Sequence, residues 1–320
     1  MSSLTSNTTE APLEQSGADV DPPSRPRSDG ARRRSIQGRS GFWFVLPFAV
    51  AFAIFLIWPI VTGLWMSFTN QSLTGSGSDF AGLANYSEAV QDGALWQALG
   101  NTAFFTLLTV VPLVVLSFAL AYLVYIGLPG QWLWRLSFFA PYLLPVSVTV
   151  ALWQWMFQPD FGLLNGLLQR AGLAQLGFIS EEGLAMFSVA LVTVWWTIGF
   201  NFLLYLSALN NIPDHLYEAA SIDGAGPWRR LVSITIPMIS RTTVMIVMLQ
   251  ILASLKVFEQ IFLLTNGGPN GSTRSVLEYI YDVGFTGYRL GYASAISYLF
   301  FALIVVISIV QLRVMNRKSA

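Results

Sequence analysis

Six stretches of this sequence, 42–68, 98–126, 136–157, 187–209, 238–264 and 290–312, are apolar over 22 residues or more, and five of them hold no charged residue. A helix needs about 20 such residues to cross the hydrocarbon of a bilayer. A closed barrel would instead show short alternating segments, and these runs do not alternate. Pro47, Pro59, Pro112, Pro141 and Pro145 lie inside them, which bundled membrane helices tolerate because neighbours re-satisfy the freed backbone groups. Charged residues make only 11% of the chain, against about 25% in a soluble domain. The expected fold is therefore all-α: a polytopic membrane protein of six transmembrane helices.

Residues 1–40 are a different material, rich in Ser, Thr, Pro, Asp and Glu and then basic at Arg25, Arg27, Arg32, Arg33, Arg34 and Arg39. Nothing there buries enough apolar surface to offset ordering entropy, so a disordered tail is expected, followed by a membrane domain over 41–318. Basic residues also set orientation, since those retained in the cytoplasm outnumber those outside. With the N-terminus cytoplasmic, thirteen Lys and Arg fall on the inner side, and only Arg170, Arg274 and Arg289 lie in outer loops. Eight acidic residues, from Asp79 to Asp282, share those outer loops. Both termini are thus expected inside, with the polar segment 213–237 between the fourth and fifth spans.

That segment, which contains "YEAASIDGAGPWRR" from Tyr217 to Arg230, is charged and glycine-bearing amid apolar sequence. Pro213 suits a helix start, and Asp214 complements the positive end of the dipole. Leu216, Ala219 and Ala220 share one face at helical spacing, and Asp214, Glu218 and Ser221 share another. Gly224 supplies a stop and Pro227 opens a second element, so the segment reads as helix, turn, helix. Glu218 has no basic residue three or four positions on, which leaves Arg229, Arg230 or another chain as its partner. The competing reading is an amphipathic connector lying on the headgroups.

The order Glu218-Ala219-Ala220, Gly224, then Ile234-Thr235-Ile236-Pro237 resembles the EAA loop of ABC importer permeases, with Ile236 where that family often has Leu. "FAGLANY" from Phe80, "PYLLPVSVTVALWQWMF" from Pro141, Gly162-Leu163-Leu164-Asn165, and "VFEQIFLLTNGGPNGST" from Val257 are similar to carbohydrate-type members, the maltose and glycerol-phosphate permeases. The resemblance covers roughly 40–318. It implies a type I permease fold in a bacterial inner or plasma membrane, and a coupling loop carried by Glu218, Ala219, Ala220, Asp223, Gly224, Ile234 and Pro237. It also implies a second homologous permease, two ATPase subunits and an extracytoplasmic substrate-binding protein as partners. The substrate it implies is a sugar or oligosaccharide; glycerol phosphate, polyamine or amino acid are the alternatives within importers.

Direct chemistry by the chain itself finds little support. A P-loop needs Gly-Lys-Ser/Thr, and neither Lys256 nor Lys318 follows a glycine; ATP and Mg²⁺ are expected on the partner ATPase, and no cofactor on this chain. One histidine, His215, and no cysteine cannot supply the three or four ligands of a His/Cys metal site. No metal and no nucleic-acid partner is expected, only membrane lipid and protein. Intramembrane polar groups are costly in lipid and mark cavities or helix contacts, so the candidate path is Thr193, Thr197 and Asn201 on the fourth span and Gln250 and Ser254 on the fifth. Such residues also bond between helices, and packing is the competing reading. Lys256 and Glu259, three apart, could pair on one helix face. The loop Gly267-Gly268-Pro269-Asn270-Gly271 reads as a turn, with contact to a docked binding protein as its functional alternative. A different class, an ion-coupled secondary transporter, would want an internal repeat and an intramembrane acid; no clear repeat is visible, and Glu259 is the lone candidate acid.

Overall fold

A computed structural model describes residues 44–75 and 79–317. The tail over 1–40 with its six arginines, the first residues of the first expected span, and Lys318 lie outside the described residues. The chain divides into two units, Met1–Pro59 and Ile60–Ala320. Helix α1 runs Phe44–Ser67 and widens to π geometry over Ala53–Ile57. None of its most apolar window is buried within the chain, so this helix needs lipid or another chain against it.

In the second unit α2 (Ala84–Gln91) leads into α3 (Gly93–Tyr125), which starts where Asp92 caps it. The Asp92 Oδ1 accepts from the N–H groups of Ala94 at 2.9 Å and Leu95 at 3.4 Å, so helix begins five residues before the apolar run. Next comes a bent pair, α4 (Gln131–Leu143) and α5 (Val146–Phe157), meeting at 100°. Pro145 forces the break: its ring pushes the preceding residue out of the α region, and Leu144 sits at φ −75, ψ 139. Short α6 (Leu163–Arg170) precedes the long α7 (Glu182–Asn210) and α8 (Asp214–Ile222). A second bent pair, α9 (Pro227–Met238) and α10 (Ser240–Leu255), meets at 62°. Pro237 offers no N–H to the carbonyl one turn back, and the helix widens to π over Leu231–Thr235 just before it. Then follow α11 (Glu259–Leu264), α12 (Val276–Tyr281) and α13 (Leu290–Arg317).

Among the described residues the only β-pairing is one isolated bridge, Thr69 to Phe80. Four helices are long and apolar enough to cross a membrane, or six if each bent pair is one span. Two expectations are corrected. The third apolar run, 136–157, is not one helix but two, bent by 100° at the Leu144–Pro145 break. The fifth apolar run does not form one helix over 238–264: helix stops at Leu255 and restarts at Glu259. Lys256 and Glu259 therefore share no helix face, and no ion pair joins them among the described residues. The apolar count misled because no Gly or Pro marks this break.

Helix α3 is the central element. Phe105 packs with Trp153, Phe157, Val189 and Ile261; Leu95 and Ala98 pack with Val276, Tyr292 and Ile296; Ala121 and Val124 pack with Phe202, Leu206 and Ile246. Helix α3 also shares its most extensive interface with α7. The bent pair reaches α7 through Gly199, where a Cβ would overlap the Phe138 carbonyl. Replacing Gly199 with Ala should therefore lower the thermal midpoint of the solubilised protein, because overpacking costs about 1–3 kcal/mol. Gly183→Ala, in the same helix with open space around it, should raise it slightly, since Ala is favoured over Gly in helices by up to about 1 kcal/mol. Equal midpoints for the two variants would contradict the close contact.

Candidate functional site

The segment 213–237 folds as helix, turn and helix. Pro213 takes the cap position of α8 at φ −65, ψ 130, and Asp214 occupies the first turn. The far end is a Schellman motif: Gly224 N–H donates to the Ser221 carbonyl at 3.1 Å, and Ala225 N–H to the Ala220 carbonyl at 2.8 Å. Closing a helix this way needs a left-handed residue, and Gly224 has φ +72 with nothing within 4 Å of a Cβ placed there. A side chain at this position is opposed by backbone strain alone.

Of the face shared by Leu216, Ala219 and Ala220, only part turns inward. Leu216, Tyr217 and Ala220 turn inward, whereas Ala219 is exposed beside Glu218 and Asp223. Tyr217 sets the rotation: its hydroxyl meets the fully buried Thr235 Oγ1 at 2.9 Å, and its ring contacts Tyr125 at 6.4 Å. Glu218 has no ion pair with Arg229 or Arg230 among the described residues. Arg230 instead donates from Nε to the Ala225 carbonyl at 2.8 Å, which fixes the turn. Ile234 is half-buried, Pro237 exposed, and His215 exposed on α8. Sequence reasoning passed over Ile222 and Trp228, which are 88% and 76% exposed on either side of Gly224. Two large apolar side chains inside a charged segment were the available signal.

Within the bundle, the polar residues meet in pairs. Gln250 Nε2 donates to Asn201 Oδ1 at 2.9 Å, joining α10 to α7, and Ser254 Oγ lies 2.9 Å from Thr109 Oγ1 on α3. Asn201 is fully buried and its Nδ2 has no hydrogen-bond partner among the described residues. Thr193 and Thr197 donate back to the Val189 and Thr193 carbonyls at 2.9 and 2.7 Å, and Thr197 is only half-buried. Trp195 packs edge-on against Trp153, and Trp196 Nε1 donates to the Leu144 carbonyl at the α4–α5 break. Lys256 and Glu259 are both exposed at the break after α10.

At the other end of α3 the glycine-rich loop is held from several sides. Asn101 Nδ2 donates to the Gly271 and Arg274 carbonyls at 2.8 and 3.0 Å, Thr102 Oγ1 accepts from Val276 N–H, and Asn270 Nδ2 donates to Glu182 at 2.6 Å. Asp92 Oδ2 accepts from the hydroxyls of both Tyr279 and Tyr292. Burial opposes its ionisation, but those two hydroxyls and two backbone N–H groups together hold the carboxyl below its usual value. Arg289 binds Glu88 through both nitrogens at 2.8 and 2.7 Å and lies over the Tyr292 ring. Glu278, 1% exposed, opens α12 three residues after Ser275, whose Oγ accepts its N–H at 3.3 Å. Burial first, then the Asp282 charge, pushes its carboxyl up to about 7, with the Ser275 backbone and Arg274 opposing. Its Oε2 has no hydrogen-bond partner among the described residues.

Comparison with known proteins gives this architecture a family. Residues 103–319 match the binding-protein-dependent transport system inner membrane component. The chain is 32% identical to the sulfoquinovosyl glycerol transport system permease protein SmoG of Agrobacterium fabrum, over 85% of this chain and 89% of that one. It is 34% identical to the sn-glycerol-3-phosphate transport system permease protein UgpA of Yersinia pestis, over 87% and 94%. The solved structure of a bacterial ABC transporter that imports the acidic polysaccharide alginate shares the fold, with a TM-score of 0.79 at 24% identity over 89% of this chain and 99% of that one. The fold and the 213–237 motif thus define an ABC transport permease. The chain belongs to the binding-protein-dependent transport system inner membrane component family and is a permease subunit of such an importer. In this family the ATPase is a separate subunit.

Glu278 generates a pH dependence. Its carboxyl ordinarily ionises near 4.5 and here near 7, so the stabilisation is complete below the first value and is lost as pH rises through the second. The full span amounts to about 3 kcal/mol. Thermal midpoints of the solubilised wild type should fall between acid and mildly alkaline pH, and Glu278→Gln should flatten that fall. An identical pH slope in the variant would show that Glu278 does not carry it.

Proposed function

We propose that this chain forms half of the translocation path of an ATP-driven carbohydrate importer, with six spans, both termini cytoplasmic, and α8 as the element that docks on an ATPase. The observation that carries the reading is α8 itself. It is a helix ended by a left-handed glycine, anchored by Tyr217 to Thr235, that presents Glu218, Ala219 and Ile222 outward, with Trp228 exposed just past the turn on α9. The distribution of thirteen basic residues against three supports its cytoplasmic placement. A second homologous permease, two ATPase subunits binding ATP and Mg²⁺, and an extracytoplasmic substrate-binding protein complete the assembly in this reading. The exposed apolar length of α1 leaves surface for such a partner. The names of the relatives, a sulfoquinovosyl glycerol permease and glycerol-phosphate permeases, support a glycosyl or glycerol-based substrate.

The path in this reading passes the half-buried Thr197 and the exposed Lys256, with Thr193, Asn201, Gln250, Ser254 and Glu259 flanking it. The Asn201–Gln250 and Ser254–Thr109 contacts then hold α7, α10 and α3 together in the present state. Polar pairs of this kind are worth only about 0.6 kcal/mol on average inside membranes, weak enough to exchange partners as helices move.

Gly224→Val tests the coupling role. Forcing a β-branched residue into left-handed backbone costs at least about 1–2 kcal/mol, and a loss of that size corresponds to about tenfold in the docked population. Uptake by the reconstituted transporter should drop by that order while the protein remains inserted and the ATPase stays active. Unchanged uptake and unchanged ATPase stimulation would remove the assignment. For the path, single cysteines at Thr197 and Asn201 face no native thiol background. A small polar thiol reagent should label Thr197→Cys in a nucleotide-dependent manner. Protection at both positions in every nucleotide state would assign them to packing.

A further inference from the structure

A cavity of about 220 Å³ opens where α3 ends, lined by Tyr122, Tyr125, Ile126, Tyr217, Pro227 and Arg230. It joins the end of a span to both arms of the coupling segment. Its one cation is held in place, because the Arg230 Nε is spent on the Ala225 carbonyl. The rest of that planar guanidinium has no carboxylate within ion-pair distance among the described residues, whereas Arg274 and Arg289 both have one. Thr235 Oγ1 donates to the Arg230 carbonyl and meets the Tyr217 hydroxyl, so the two arms close around the pocket. Asp214, at the start of α8, acts electrostatically on Tyr125 but does not line the cavity.

We propose that this pocket binds a phosphate ester, whose oxygens take the free edge of the Arg230 guanidinium and hydroxyls of the α3 end, Tyr122 and Tyr125, and that its occupancy ties α8 to the end of α3. The chemistry fits on three counts. A guanidinium fork matches phosphate oxygens in geometry as well as charge. Tyrosine hydroxyls add neutral donors and none of the repulsion a carboxylate would bring. A cavity of about 150 Å³ already admits benzene, so the volume here holds a phosphate group with its first carbons. Tyrosines at a span end lie at headgroup level, where the cytoplasmic leaflet presents anionic phosphodiesters. An anionic lipid and a free phosphate compound share this chemistry. The inference rests on the reading of 213–237 as the cytoplasmic coupling segment only for its consequence; binding itself is measured separately.

The test uses the complete transporter in nanodiscs of phosphatidylcholine alone, of phosphatidylcholine with phosphatidylglycerol, and of phosphatidylcholine with added inorganic phosphate. Two quantities are read: lipid retained on the complex by native mass spectrometry, and hydrogen–deuterium exchange over 214–222. In the wild type, phosphatidylglycerol should be retained over phosphatidylcholine and should slow exchange in α8. Arg230→Gln should weaken retention about tenfold, the scale of one lost charge-assisted pair, and Arg230→Lys should fall between. Tyr125→Phe keeps the charge and should weaken retention less, which guards against a misfolded Arg230 variant. Slowing by inorganic phosphate without lipid retention would identify the free ion as the source. Equal retention in wild type and Arg230→Gln, with exchange in α8 indifferent to both additives, overturns the proposal. Should Gly224→Val leave coupling unchanged while retention still depends on Arg230, the coupling reading falls and the site stands.

Discussion

Within hydrocarbon every backbone N–H and C=O must find a partner inside the protein, since no water is present to take its place. Continuous helices meet that demand by themselves; breaks do not. This chain breaks its helices at several points, and at several of them side chains from elsewhere in the chain reach the freed carbonyls. Trp196 Nε1 donates to Leu144 at the α4–α5 break, Ser275 Oγ to Val257 after α10, and Gln154 Nε2 to Leu263 at the end of α11. Asn165 Nδ2 serves the carbonyls of Phe157, Gln158 and Leu176 after α5, and its Oδ1 accepts from Leu176 N–H. The positions of α4 to α7 and α10 to α12 follow from these repairs as much as from apolar packing, because a donor that must reach a given carbonyl fixes both rotation and depth.

The same demand explains which parts of the molecule were legible in the sequence. Continuous spans announce themselves by length, so α1, α3, α7 and α13 appear close to where the apolar runs put them. Their ends shift by several residues where a polar cap extends the helix, as Asp92 does for α3. The break at 256–258 stayed hidden because its solution is tertiary: the Ser275 hydroxyl lies 18 residues away along the chain. Periodicity carries no trace of such a partner. For the same reason Lys256 and Glu259 looked like one helical pair and are instead separated by non-helical backbone.

The segment 213–237 shows the converse. Its turn was readable because Gly224 and Pro227 act locally, through φ and a missing N–H, and the structure has a Schellman closure there. Which face of α8 turns inward was not readable. Helical spacing placed Leu216, Ala219 and Ala220 on one face without fixing where it points, and the Tyr217–Thr235 contact orients the helix so that Ala219 and Ile222 face out. A tyrosine in the middle of a polar segment gave no hint of this without knowing that Thr235 and Tyr125 would stand opposite. Of the polar residues in the spans, spacing brought out Thr193, Thr197, Asn201, Gln250 and Ser254, whereas Thr109, the partner of Ser254, was passed over although it lies at helical spacing from Thr102 and Thr106 on α3.

The two ends of the bundle are built to different stiffness. At the Asp92 end one carboxylate takes two tyrosine hydroxyls and two backbone N–H groups, Arg289 binds Glu88 through two nitrogens, and the glycine-rich loop is fixed to α3 by Asn101 and Thr102. Charge-assisted bonds of this type are roughly twice as strong as neutral ones, and they link α2, α3, α12 and α13 into one body. At the α8 end the polar ties among the described residues are neutral or single: Tyr217 to Thr235, and Arg230 to one carbonyl. Local stability follows such contacts, and moving elements come from the weakly held end of the range. Under the proposed coupling role, a force on α8 would act at the end with fewer charge-assisted ties, and the neutral polar contacts between the two ends are Asn201 with Gln250 and Ser254 with Thr109.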